Sequence, residues 1–322
     1  MSRQARRITS VALTALIAGV LIFGWWQRQA AYDWWRLRGY QPSPEIAQIA
    51  ANTTMTDLGK RLFYVAHPSL SDQATFNENC NISEFSIILG CYISGGNIYV
   101  YDVSDERLAG IHEVTAAHEM LHVAYERLSD AERERVDTLL IDAYNNLKDE
   151  RIKTTIAQYE AADPSSVPNE LHSILGTEVR NLSPELEEYY KQYFDDRSVV
   201  VAYSEHYEHE FAARRAQVVA YDVQLETLKQ QIESNQSALY QRRAMLESTQ
   251  NQLNQLRINE QYTLYNAQVD SYNAAVNAYN DLVATTKAQI EQYNTIVAAR
   301  NALAVEVQQL VEALDSTPQS IQ

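Results

Sequence analysis

In TAAHEMLHVAYERL, residues 115–128, two of the chain's seven histidines stand four apart, with a glutamate directly after the first. On a helix, residues at that spacing lie one turn apart on one face. The imidazoles of His118 and His122 can then reach one metal ion, while Glu119, about 100° around the axis, leans over the open coordination position. A hydrolytic zinc (Zn2+) site needs that set. Zinc lowers the pKa of a bound water toward about 7, and the glutamate takes its proton as the water attacks a peptide carbonyl polarised by the same metal. Ile111, Val114, Leu121, Tyr125 and Leu128 recur at helical spacing through the segment. The bland alternative is an amphipathic helix that carries histidines by chance.

The elements that must hold this helix are read from the flanks. SIILGCYIS and NIYVYDV, within residues 86–103, are rich in β-branched and aromatic residues and are separated by Gly95-Gly96, a hairpin signal. No other segment reads as strand. Before them, SPEIAQIAANTTMTDLGKRLF offers Ser43 as an N-cap with a proline in the first turn. After them, helices are predicted from Ser129, near Ile152, after Pro168 and from Ser183. A small sheet beside several helices predicts an α+β fold.

A strand leading directly into an H-E-x-x-H helix resembles the zincin metallopeptidases, in which an edge strand pairs with extended substrate. The long motif of the metzincin branch would need glycine at 125 and histidine at 128; Tyr125 and Leu128 exclude it. Farther on, Asn169-Glu170-Leu171-His172-Ser173 is similar to the N-E-x-x-S segment of the thermolysin-like gluzincins. That resemblance covers roughly residues 85–182 and implies a zincin-like domain with His118, His122 and Glu170 as metal ligands and Glu119 as general base. Two departures stand against it. Ile174 replaces the acid that follows the serine, and the gap from His122 to Glu170 is longer than in thermolysin itself. Glu178, two turns later on nearly the same face, is the alternative ligand, with His172 a further one. The transition-state donor stays open among Tyr189, Tyr190, Tyr193 and His206. His206 and His209 alternate with Glu205, Glu208 and Glu210, which reads either as a second cation site or as a solvated face. His67 and His112 read as structural.

A net charge of −16 argues against nucleic-acid binding, and 9 glycines and 7 prolines in 322 residues favour long helices. After residues 1–7, taken as cytoplasmic, the uncharged run Ile8 to Trp26 is long enough, at about 28 Å as a helix, to predict one transmembrane signal anchor. Trp25, Trp26, Trp34 and Trp35 sit where rings settle at lipid headgroups. A juxtamembrane stalk (27–41), a catalytic domain (42–197), a coiled coil (198–315) and a tail (316–322) complete the predicted order. Cys80 and Cys91 read as a disulfide or as two buried thiols. Together with the anchor, the disulfide reading predicts a single-pass cell-membrane protein with an extracytoplasmic catalytic domain.

In the last third, Leu225, Ile232, Leu239, Leu246 and Leu253 repeat every seven residues. A second seam places Val269, Val276, Val283, Ile290 and Val297 with Tyr265, Tyr272, Tyr279 and Tyr293, the tyrosines read as packing. The polar NQLRINEQ between the seams predicts an antiparallel helical hairpin, with a continuous dimerising rod as the competing form. Function is expected to be zinc-dependent hydrolysis of a protein or peptide substrate, the coil binding partners or copies of itself. The rival is a membrane-tethered coiled-coil scaffold with a structural or vestigial metal site, and a third reading is an envelope scaffold or adhesin with no metal.

Overall fold

The computed structural model describes residues 28–80 and 89–316. Residues 28–37 are helical. Then follow α1 (Pro44–Asn52), α2 (Asp57–Val65), β1 (Ser69–Ser71), α3 (Gln73–Asn79), β2 (Gly90–Tyr92), β3 (Ile98–Tyr101), α4 (Ile111–Glu126), α5 (Asp130–Asn146), α6 (Glu150–Ala162), α7 (Val167–Glu178), α8 (Pro184–Tyr190), α9 (Arg197–Ile258) and α10 (Tyr262–Leu314). Local chemistry sets most starts. The side chains of Ser43, Thr56, Asp72, Asp149 and Ser183 each accept a first-turn N–H, and Ser129 with Glu132 forms a full capping box.

The predicted α+β class is corrected. Of the described residues 78% are helical, and the sheet is three strands of three, three and four residues. Strands this short cannot form a layer of their own, so the core forms between helices. Met120, Leu121, Val136, Leu140, Ile152, Ile156, Leu171, Leu175 and Tyr190 share one buried cluster with Ile98 and Val100 of β3. The strand order is β1-β3-β2, with β1 parallel and β2 antiparallel to β3. NIYVYDV therefore supplies the central strand rather than an edge. The edge strands are β2 and β1, and β1 (Ser-Leu-Ser) carried no pattern to announce it.

The transmembrane helix, and with it the single-pass cell-membrane localisation, is also corrected. Among the described residues no helix is long and apolar enough to cross a membrane. Even the two longest, α9 and α10, carry charged residues and strings of Gln and Asn along their lengths. Residues 8–26 lie outside the described residues, and no anchor is carried further. The expected stalk differs as well: Tyr32 donates to the carbonyl of Gly95, and Arg36 donates to the carbonyls of Val65 and Gly96, which ties residues 28–37 to the β2–β3 turn.

Cys80, capping α3, is disulfide-bonded to Cys91 of β2. Opening the bond with a dithiol, or replacing Cys91 by serine, is expected to lower stability by about 2–3 kcal/mol through the freed denatured chain. Chemical denaturation with and without reductant measures this. Helices α4 and α7 meet at Gly176, where a Cβ would lie 2.5 Å from Leu121 Cδ1 and 2.8 Å from Tyr190 Cε1. Gly176→Ala is expected to cost about 1–3 kcal/mol by overpacking, read as a lowered unfolding midpoint.

The chain divides into two compact units, one holding the described residues up to Glu208 and from Ala313 on, the other His209–Glu312. The boundary falls after the first turns of α9, because Val200, Val201 and Ser204 are buried. In the second unit α9 and α10 run antiparallel: Asn235 bonds Gln289, Arg242 donates to Ala278 O, and Arg300 pairs with Asp222. Leu228, Leu253, Ile296 and Leu303 are buried there, whereas Ile290 is 38% exposed. Beyond Val283 the seam passes through Thr286, Gln289, Tyr293 and Ile296, so the valine register predicted for this stretch slips by one position.

Candidate metal centre

Helix α4 delivers His118, Glu119 and His122 to one place: a ligand atom from each lies within 4.8 Å of the others. Glu170 arrives from α7. Its Oε2 is 3.6 Å from His118 Nε2 and its Oε1 3.7 Å from His122 Nε2. Two ligands each about 2.0–2.1 Å from a tetrahedral ion stand about 3.3 Å apart, so the three side chains surround a metal-sized gap with a few tenths of an ångström to spare. All three are 11–18% exposed, and the buried Glu170 Oε2 makes no hydrogen bond. A buried carboxylate oxygen left without a donor, facing two imidazole nitrogens, is a donor set that suits a divalent cation. Burial pushes the Glu170 carboxyl up, but the nearby imidazoles of His118 and His122 outweigh it and hold the group below the usual carboxylate value.

The orientation of His122 is fixed from behind. Its Nδ1 lies 3.0 Å from Asn169 Oδ1 and 3.2 Å from Ser173 Oγ. The amide oxygen only accepts, so Nδ1 carries the proton and the Nε2 lone pair is turned toward Glu170. The asparagine and serine of N-E-x-x-S thus hold one ligand while the glutamate between them serves as another. Asn169→Leu is expected to lower metal affinity about 10- to 100-fold with the fold intact, measured by competition with a chelating dye.

The alternative ligands are placed elsewhere. Glu178 Oε2 forms an ion pair of 2.8 Å with Arg151, and that arginine also faces Glu208. His172 is fully buried, its Nε2 2.8 Å from the Tyr189 hydroxyl and its ring packed among Tyr125, Tyr190 and Tyr193. Burial above all drives its pKa down to about 3, so the ring is neutral packing. His206 and His209 are exposed, and Glu205, Glu208 and Glu210 face Arg180, Arg151 and Arg214. Among the described residues only the α4 histidines and Glu119 form a metal-ligating group of this kind. His67 is stacked on Tyr40 and bonded to the carbonyl of Arg36, and His112 accepts from the N–H of Val103.

The centre opens into a cleft of about 560 Å³. Its rim includes β2, and Gly90 lies so close to α4 that a Cβ there would sit 2.5 Å from Thr115 Cγ2 and 2.8 Å from Glu119 Oε1. Glu119 is 5% exposed, held between its own helix and this strand. Gly90→Val is expected to displace the Glu119 carboxylate and cut any hydrolytic rate at least about tenfold while sparing metal content, a pair of measurements made on one sample. The candidate donors Tyr189, Tyr190 and Tyr193 are buried against His172 rather than in the cleft. The cleft instead presents Tyr159 of α6, whose side chain bonds Glu170, along with Tyr207 and Arg133. None of these three was singled out from sequence. Tyr159 continues the buried Ile152–Ile156 face at helical spacing, a signal that was there to be read.

Compared with protein-family models, curated proteins and solved structures, the chain matches none, so the likeness to zincins rests on this group of side chains alone.

Proposed function

We propose that the first unit is a zinc-dependent peptidase. The observation that carries this reading is the convergence of His118, His122 and Glu170 with a buried glutamate, Glu119, beside them at the floor of an open cleft. His118, His122 and Glu170 would hold the ion. Three protein ligands leave one position open, whereas a purely structural site closes all four. When bound, zinc supplies a Lewis acid that brings the pKa of water to about 7 and polarises a carbonyl oxygen.

The chain's own groups do the rest. The Glu119 carboxylate takes the proton of the attacking water and passes it to the leaving amine, which departs protonated. Its place between Thr115 and Gly90 limits its rotamers, so the base is held ready. The Tyr159 hydroxyl, on the α6 side of the cleft, bonds Glu170 and so helps to orient that ligand. Edge strand β2 has β3 on one side and, among the described residues, no strand on the other, where an extended main chain can pair.

The test is metal analysis of the purified protein together with a mixed peptide library read by mass spectrometry, with and without chelator. Cleavage that chelator abolishes and zinc restores supports the reading. Stoichiometric zinc with no cleavage of any peptide would leave a structural site instead.

A further inference from the structure

The cleft beside the metal group is acidic except at one point. Glu119, Glu126, Glu170 and Glu178 line it, and among its described lining residues Arg133 is the only lysine or arginine. Arg133 comes from the start of α5, and its guanidinium carbon lies 5.1 Å from the centre of the Tyr125 ring, a cation–π stack that fixes the plane of the group.

Among the described residues, no carboxylate neutralises the charge. Its buried Nε has no hydrogen-bond partner, and Nη2 makes only two long contacts of 3.4 Å to the carbonyls of Tyr125 and Glu126. The carboxylates that could have paired with it are engaged elsewhere. Asp137 accepts from the Tyr125 hydroxyl, and Glu126 accepts from Tyr92 and Ser94. Arg127 and Arg151 in the same unit are each paired with an acid at 3.0 Å or less. A half-buried guanidinium with no counter-ion among the described residues, in a cleft that otherwise repels anions, is suited to one ligand chemistry, a carboxylate bound through charge-assisted hydrogen bonds.

We propose that Arg133 is the specificity-determining residue of this cleft and binds a carboxylate of the peptide substrate. The inference rests on reading the cleft as a peptide site. Two sources share the chemistry, the C-terminal carboxylate of a short peptide and an acidic side chain. From His122 to the end of α4 beside Arg133 the helix rises about 6 Å, which extended peptide covers in about two residues. The anchored carboxylate therefore stands within a few residues of the metal group.

The experiment measures equilibrium binding of dye-labelled peptides to Glu119→Gln protein, in which turnover is blocked. Three peptides of one neutral sequence are compared: with a free C-terminus, with an amidated C-terminus, and amidated with one glutamate near the end. The expected result is that a carboxylate-bearing peptide binds about 10- to 100-fold tighter than the neutral amide, the value of a charged hydrogen bond. Arg133→Gln should erase that advantage and leave the neutral amide unaffected, and Arg133→Lys should keep part of it. Which peptide wins identifies the source. Equal affinity for all three peptides in the protein with Arg133 intact overturns the proposal, whether or not the variants fold. So does an advantage that survives Arg133→Gln, or no binding of any peptide. Carboxylate-selective binding by a protein that cleaves nothing when zinc is restored to an intact Glu119 would instead remove the peptidase reading and leave the anchor standing.

Discussion

Glu119→Gln is expected to keep its full complement of zinc and to lose about 100- to 10,000-fold in the rate of peptide cleavage. The amide has the carboxylate's shape, so the packing against Thr115 and Gly90 survives the change. It cannot accept a proton from water at neutral pH. His118 and His122 are untouched, and the metal stays. Zinc content by elemental analysis and single-turnover cleavage, measured on the same preparation, check both halves. A glutamine protein as active as the parent would remove Glu119 from the chemistry.

The second large effect separates the two acids of α7. Glu170→Ala removes one of three side chains around the metal gap and leaves two imidazoles, so zinc affinity is expected to fall by more than the about 10- to 100-fold that loss of an outer partner costs. Glu178→Ala is expected to leave zinc affinity unchanged, since its carboxylate faces Arg151. Dye-competition titration ranks the two, with thermal unfolding of the metal-free proteins as the control for folding. The reverse ranking would mean that α7 turns about its axis when metal binds and that Glu178 takes the ligand position.

What the sequence reveals here depends on how local each feature is. His118, Glu119 and His122 are neighbours on one helix, and the 3.6-residue period alone puts them together. Glu170 belongs to a different helix, and nothing in the pattern of α7 separates it from Glu178. Only the N-E-x-x-S likeness ranked it first, and the contacts of Asn169 and Ser173 with His122 give that ranking a physical cause. Arg133 and Tyr159 become neighbours of the centre only through the packing of α5 and α6, which no spacing encodes. The strands were overrated for a related reason. SIILGCYIS and NIYVYDV look like substantial β segments, yet among the described residues the ladder between them pairs Gly90–Tyr92 with Ile98–Val100, and the remaining described apolar surface is taken up by helices. In the second unit, heptad spacing located the seam of α9, while the one-residue slip after Val283 follows from how two particular helices pack.

On α3, Asn77 donates to the carbonyl of Ser316, and Gln73 to that of Asp315, 242 residues away in sequence. The first unit is therefore built from two stretches of chain, interrupted by the whole of the second. Closing so long a separation by chance would be slow and entropically costly. But residues 209–312 form a hairpin from pairings that zip outward from its turn, and Arg214 reaches Glu306 near its open end. Once the hairpin has formed, its two ends stand side by side, and its own length no longer counts toward the separation that the contacts on α3 must close. That lowers the closure cost by about 0.5 kcal/mol.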